Sequence, residues 1–137
     1  MSPAEVILAH HRRPHHRGTF DAPDGVGTRH NPLCGETVTV GVVLRDGHLH
    51  EVRFDGDACS IGRASASMMT DLVVGRTPDE IPGLIERVRA LVAGDPAAIA
   101  DDALGDLRAL ADVRRTPARA ACALLPWHAL ADALGHG

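Results

Sequence analysis

The residues of this sequence best suited to chemistry are three cysteines and one carboxylate. Cys34 and Glu36 flank a glycine in the string NPLCGE, and in an extended chain residues i and i+2 point to the same side. Two further cysteines follow, Cys59 and Cys122. Three thiolates and a carboxylate suit tetrahedral zinc, or iron in a cluster, better than magnesium or calcium. Because no C-x-x-C pair is present, the spacing is compatible with a metal site without requiring one.

Each cysteine also has a simpler interpretation. Cys122 lies between two alanines, a context typical of a small buried hydrophobic residue. Cys34 lies in a stretch of Asn, Pro and Gly that predicts a polar, exposed turn, where thiols are seldom kept for packing. Cys59 is intermediate, because a helix N-terminus is expected to lower its pKa whether or not a metal is bound. The odd number of cysteines argues against a closed disulfide framework.

A predicted β-hairpin would bring these residues together. Valines at positions 38, 40 and 42 alternate with Thr and Gly, which predicts a strand with one buried face from Glu36 to Leu44. The following Asp-Gly pair favours a tight turn, and HLHEVRFDG predicts the returning strand. Antiparallel pairing then places Cys59 beside Cys34. A helix that carries Cys122 needs only to pack across the same end.

Helical periodicity and Gly/Pro boundaries account for most of the remaining chain, while the segment between Pro14 and Glu36 is predicted to be irregular. Pro126 disrupts helical hydrogen bonding, so either a helix begins near Leu125 or a longer helix kinks beside Cys122. The predicted helices are PAEVILAHHRRP, a segment after Cys59 that stops at Gly75, a segment from Pro78 to Gly94, one from Ile99 to Val113, and a last one opened by Thr116-Pro117.

Composition narrows the function classes. The 137 residues carry a formal net charge of −4, which disfavours a protein that wraps nucleic acid or coats anionic lipid. No long apolar run or basic-then-hydrophobic N-terminus is present, so we expect one cytoplasmic domain over residues 1–137, with no membrane partner. The histidine pairs at 10–11 and 15–16, flanked by Arg, predict an exposed polar face.

The motifs around the cysteines resemble a known family. The strings NPLCGE, FDGDACSIGRASASMM and PARAACALLPWHAL, preceded by ILAHHRRPHHRG, resemble the SufU branch of the IscU-like iron–sulfur assembly proteins over nearly the whole chain. This resemblance implies an α+β fold in which a small twisted antiparallel sheet of about three strands packs against several helices. It also implies a metal site at one end of that sheet.

The resemblance further implies a function. By motif position, Cys34, Glu36, Cys59 and Cys122 match the family's Zn²⁺ ligands, and Cys34 matches the cysteine that accepts sulfur. The implied activity is that of a zinc-dependent sulfurtransferase. It takes persulfide sulfur from a SufS-type, pyridoxal-phosphate-dependent cysteine desulfurase and passes it to downstream iron–sulfur assembly proteins. The alternative within the family is a scaffold that assembles an iron–sulfur cluster on the same cysteines.

Several positions distinguish the branches of this family. Ala121 precedes Cys122 where the IscU branch has His, and the long segment between the second and third cysteines is typical of SufU. Two positions depart from the family pattern: Glu36 replaces the usual Asp, and Ala58 replaces the usual Gly. The additional methylene of Glu36 moves the carboxylate outward by one bond.

Overall fold

Three antiparallel strands form the sheet of this protein. The computed structural model describes residues 1–135. The strands are β1 (Gly25–Asn31), β2 (Glu36–Arg45) and β3 (His48–Asp57), in the spatial order β1-β2-β3. Helices pack against the sheet and complete an α+β fold, as predicted.

The β2–β3 hairpin confirms the sequence-based prediction. The side chains of Val38, Val40 and Val42 are all buried, so the period-2 pattern marks the face that packs on the core. The turn residues Asp46 and Gly47 have φ angles of 54° and 77°, which are the positive values that this turn requires. At the end of the hairpin opposite this turn, β2 begins at Glu36 and β3 leads into Cys59.

Strand β1 was not predicted, because the segment before Glu36 was expected to be irregular throughout. Two glycines interrupt its sequence, GVGTRHN, and they are needed for packing rather than for turns. A Cβ on Gly27 would lie 2.0 Å from the carbonyl oxygen of Ala129, and one on Gly25 would lie 2.0 Å from that of Ala133. Only glycine allows the C-terminal helix to lie this close to the strand backbone.

The helices largely follow the predicted boundaries. Ser2 caps the first helix, where its hydroxyl accepts the backbone N–H of Glu5 and the Glu5 carboxylate accepts that of Ser2. The helices are α1 (Pro3–Arg12), α2 (Ser60–Val73), α3 (Ile81–Ala93), α4 (Pro96–Ile99) and α5 (Pro117–Ala133), with short 3₁₀ turns at Pro78–Glu80 before α3.

The prediction of one helix from Ile99 to Val113 was wrong. Helix α4 ends at Ile99, and a separate 3₁₀ segment, Asp102–Val113, follows it. The carboxylate of Asp101 accepts the backbone N–H of Ala103, which starts this segment afresh. Gly105 interrupts it with φ 54° and ψ −131°, which is not a helical conformation.

Helix α5 runs through Pro126 without a break in its assignment, so the structure has the longer helix of the two alternatives. Cys122 lies within it and is buried. Next to Cys122, the buried Ser65 of α2 donates its hydroxyl to the carbonyl of Ala123, at 2.6 Å. Trp127, which is fully buried, donates its indole N–H to the same hydroxyl at 3.2 Å. These two bonds fix α5 against α2 near the third cysteine.

The expectation of an exposed polar face was wrong for one histidine. His10 is only 6% exposed, because α1 packs this side chain against α2. Elsewhere the core consists mainly of Ala, Val, Leu and Ile side chains, as the composition predicts. None of the helices within residues 1–135 is both long and apolar enough to cross a membrane.

Candidate metal centre

Four separate elements deliver the predicted site residues to one cavity. Cys34 is exposed in the turn between β1 and β2, and Glu36 is the first residue of β2. Cys59 is the N-cap of α2, and Cys122 lies in the second turn of α5. All four line a cavity of about 350 Å³. The hairpin and the two helices therefore place the residues as the sequence predicted, whereas their role as metal ligands stays a prediction.

Three of the four residues are tightly clustered. The Sγ atoms of Cys34 and Cys122 are 3.8 Å apart. Both sulfurs and a carboxylate oxygen of Glu36 lie within 4.8 Å of one another. Cys59 borders the same cavity, and its Sγ accepts the backbone N–H of Gly62 at 3.5 Å. This last contact caps helix α2 and holds the Cys59 sulfur, the fourth ligand candidate, at the helix N-terminus.

The two oxygens of Glu36 have different surroundings. Glu36 is 6% exposed, and its Oε1 accepts the backbone N–H of Cys59 at 3.0 Å. Its Oε2 is buried and has no hydrogen-bond partner among the described residues. A buried carboxylate oxygen without a donor is costly unless a cation satisfies it. The side chain of Glu36 thus reaches the N-terminus of α2 with one oxygen and leaves the other without a hydrogen-bond partner among the described residues.

The electrostatics of the cavity also fit a cation. Burial raises the pKa of the Cys122 thiol, and the neighbouring Cys59, Glu36 and Cys34 side chains raise it further. Burial, followed by Glu36, likewise raises the pKa of Cys59. The predicted lowering of the Cys59 pKa by the helix N-terminus is therefore wrong for the metal-free cavity. A divalent cation bound by these residues would supply positive charge that favours the thiolate forms and would lower the pKa values of both cysteines.

Sequence reasoning missed one feature of this centre. It did not anticipate the hydrogen bond from Cys59 N–H to Glu36, which depends on how α2 meets β2 in three dimensions. Arg119, one helical turn before Cys122, left two interpretations open in the sequence: a basic group that stabilises the anionic site, or a solvated surface residue. The structure places this exposed residue at the edge of the cavity, which fits both.

Cysteine sulfurs and a carboxylate converge at one end of a three-stranded sheet, and the chain is thus a small α+β protein with a candidate metal centre. The sequence matches the NifU-like N-terminal domain over residues 3–134, and the chain belongs to that family.

Two curated relatives align with most of the chain. One is the iron–sulfur cluster assembly scaffold protein IscU of Streptococcus pyogenes serotype M1, which is 35% identical over 94% of this chain and 80% of its own length. The other is the zinc-dependent sulfurtransferase SufU of Bacillus subtilis (strain 168), which is 32% identical over 92% of this chain and 84% of its own length.

A solved structure agrees with the sequence relationship. The crystal structure of a nitrogen-fixing NifU-like protein (N-terminal) from Brucella abortus superposes with a TM-score of 0.85 and 32% sequence identity. The match covers 96% of this chain and 91% of the other. The predicted family and fold are thus confirmed.

Proposed function

We propose that this protein is a zinc-dependent sulfur acceptor in iron–sulfur cluster assembly. In this role it takes persulfide sulfur from a SufS-type cysteine desulfurase in the cytoplasm and passes it to downstream assembly proteins. The observation that carries the proposal is the asymmetry of the cavity: Cys34 is exposed, whereas Cys122 and Glu36 beside it are buried. The Cys34 thiol is therefore accessible to a partner enzyme, whereas Cys59 is half-buried and Cys122 is buried. The similarity to the Bacillus subtilis sulfurtransferase supports the same function.

The transfer step requires only a thiolate at Cys34. Its sulfur attacks the outer sulfur of the desulfurase's cysteine persulfide, a new S–S bond forms, and the enzyme's own S–S bond breaks. The desulfurase cysteine leaves as a thiolate, and Cys34 becomes the persulfide. No oxidant or reductant is consumed. The exposed turn of Cys34 gives the incoming persulfide the access that this displacement needs.

The residues that would hold zinc are Cys34, Glu36, Cys59 and Cys122. A bound Zn²⁺ supplies the positive charge that keeps these thiols deprotonated at neutral pH. Within this set, Glu36 orients α2 through the N–H of Cys59, and the Gly62 N–H holds the Cys59 sulfur. These contacts hold Glu36 and Cys59, Cys122 is buried in α5, and Cys34 stays on the surface.

The second candidate function is a scaffold for cluster assembly. The name of the Streptococcus pyogenes relative favours it, and three thiolates with a carboxylate also suit iron in a cluster. Metal analysis separates the two functions. Stoichiometric zinc that survives purification supports the sulfur acceptor, whereas an oxygen-sensitive iron–sulfur chromophore after anaerobic reconstitution supports the scaffold.

The decisive experiment measures desulfurase turnover with the wild type, with Cys34→Ala and with His48→Gln. His48 is exposed at the opposite end of the β2–β3 hairpin and serves as the matched control. We expect the wild type and His48→Gln to stimulate turnover and to gain one sulfur atom on Cys34 by mass spectrometry. Cys34→Ala should do neither. Stimulation by Cys34→Ala equal to that by the wild type would refute the sulfur-acceptor function.

A further inference from the structure

A second group of potential metal ligands lies away from the cysteine cavity. It consists of His10 on α1, His15 in the segment that follows α1, and Asp71 on α2. One ring nitrogen of each histidine and one carboxylate oxygen of Asp71 lie within 4.8 Å of one another. We call these three residues the histidine cluster. Asp71 is twelve residues beyond Cys59, which corresponds to about 18 Å along the helix axis, so the two groups are distinct.

Ser67 of α2 orients both histidines. Its hydroxyl accepts the backbone N–H of His15 at 2.8 Å and lies 2.7 Å from Nδ1 of His10. Ser67 is fully buried and His10 nearly so, which makes this a fixed arrangement rather than a surface contact. The contact with Ser67 fixes the orientation of the His10 ring through one of its nitrogens, as a protein oxygen commonly does for a histidine that binds a metal.

Two further residues, His16 and Asp106, lie beside the cluster. Within the cluster, Nδ1 of His15 and Oδ2 of Asp71 are 2.5 Å apart. Nε2 of His16 is 3.2 Å from the other carboxylate oxygen of Asp71. On the opposite side, Oδ2 of Asp106 is 3.2 Å from Nε2 of His10. Two imidazoles and two carboxylates therefore converge from four segments of the chain, with a third imidazole at the edge.

Solvent can reach the cluster from two directions. A cavity of about 170 Å³ is lined by His10, Asp71 and Asp106, and another of about 360 Å³ is lined by His16 and Asp71. Asp71 borders both cavities, so an ion held by its carboxylate would have room for water in any open coordination position.

We propose that His10, His15 and Asp71 bind a divalent transition-metal ion such as Zn²⁺, Co²⁺ or Ni²⁺. Imidazole nitrogens with a carboxylate oxygen form a donor set of borderline softness, which suits these ions better than magnesium or calcium. Metal–ligand bonds of about 2.0–2.2 Å separate two ligand atoms by roughly 3.0–3.6 Å, so Nδ1 of His15 and Oδ2 of Asp71, now 2.5 Å apart, must move slightly apart to admit the ion. His15 and Asp71 are about half exposed and can make this adjustment, whereas the buried His10 stays in place.

The bound ion would link parts of the chain that are otherwise distant in sequence. Helix α1, the segment that follows it and helix α2 each contribute one ligand, so the ion fastens the N-terminal residues to the helix that carries Cys59. Because the ion binds only where these elements are assembled, it stabilises the folded protein by mass action. This effect does not depend on sulfur transfer.

The test uses Co²⁺ as the probe on protein that carries a single equivalent of Zn²⁺, which the thiolate-rich cysteine cavity takes in preference to the histidine cluster. A histidine–carboxylate site should give weak visible bands without the thiolate-to-cobalt charge-transfer band of a cysteine site. We expect one equivalent of Co²⁺ to bind with this spectrum and to raise the melting temperature. His15→Gln and Asp71→Asn should each weaken binding by at least about tenfold, as expected when a ligand set is disrupted.

His48→Gln is the matched control, because it also removes one of the nine histidines but lies outside the cluster. It should bind Co²⁺ as the wild type does. Circular dichroism establishes that each variant is folded, which both substitutions should preserve since the side chains of His15 and Asp71 are half exposed. The proposal is overturned if the zinc-loaded protein binds no Co²⁺, if a thiolate charge-transfer band appears, or if folded Asp71→Asn binds as tightly as the wild type.

Discussion

Helix α2 supports two groups of potential ligands that differ in chemistry and in accessibility. At its N-terminus, Cys59 joins two other thiols and a carboxylate around one cavity. Two to three turns further along, Ser67 and Asp71 meet two imidazoles. The cysteine cavity includes an exposed thiol, whereas the histidine cluster contains no sulfur and offers only nitrogen and oxygen atoms. The same helix thus separates two groups for which different chemistry is proposed.

Two buried serines of α2 connect these groups to the rest of the fold. Ser65 bonds to α5 beside Cys122, and Ser67 bonds to the residues of the histidine cluster. Because they are two positions apart, they face different neighbours, and each fixes one group. The comparison therefore predicts that the two groups can be disturbed independently.

The largest expected difference is in thiol reactivity. In metal-free protein at neutral pH, we expect iodoacetamide to modify Cys34 at least about tenfold faster than Cys59 or Cys122. Cys34 is exposed, while burial and nearby acidic groups raise the pKa of the other two and reduce their thiolate fraction. Mass spectrometry of timed samples gives the three rates. Equal rates would show that the cavity does not distinguish its thiols, and zinc loading should protect all three.

The next largest effect is on stability. Ser65→Ala removes the partner of the buried Trp127 indole and of the Ala123 carbonyl, and we expect it to lower the free energy of unfolding by about 2–4 kcal/mol. Ser67→Ala should cost less, about 1–2 kcal/mol, because it leaves one buried ring nitrogen of His10 without its partner while water can replace the bond to the exposed His15 backbone. Urea denaturation measures both values. A larger loss of unfolding free energy for Ser67→Ala than for Ser65→Ala would show that the contacts of Ser67 contribute more to stability than those of Ser65.

The smallest effect concerns one atom of Glu36. Glu36→Gln leaves one oxygen to accept the Cys59 N–H, but it replaces the unpartnered Oε2 with an amide nitrogen that cannot bind a metal. We expect zinc affinity to fall about tenfold, equivalent to ~1.4 kcal/mol, with little change in stability of the metal-free form. Competition with a chromophoric chelator measures the affinity, and Co²⁺ binding at the histidine cluster provides an internal control. Unchanged zinc affinity would remove Glu36 from the ligand set.

The parts of the fold that were predictable from sequence are those with a strong local pattern. Alternating valines and an Asp-Gly turn specify the hairpin, and the i, i+2 relation of Cys34 and Glu36 follows from it. Strand β1 lacks such a pattern, because its pairing with β2 and its packing under α5 decide its conformation. Gly105 likewise divides a segment whose apolar spacing alone indicated one helix.

The extent to which each of the two groups could be predicted from sequence also depends on whether a local pattern marks its residues. Motif resemblance and hairpin geometry pointed to the four residues of the cysteine cavity. The histidine cluster depends instead on the packing of α1 against α2, to which no sequence periodicity assigns a direction. The sequence therefore does not distinguish His10 from the surface histidines, whereas the structure shows it buried beside Ser67.

The two glycines of β1 allow α5 to pack in direct contact with the backbone of the sheet. With no side chains at Gly25 and Gly27, the helix rests directly on the strand backbone near Ala129 and Ala133. A single added methyl group at either position would tilt this helix away from the sheet. Since Cys122 lies toward the other end of the same helix, a displacement near Gly25 and Gly27 would also change how Cys122 is aligned with the other residues of the cysteine cavity.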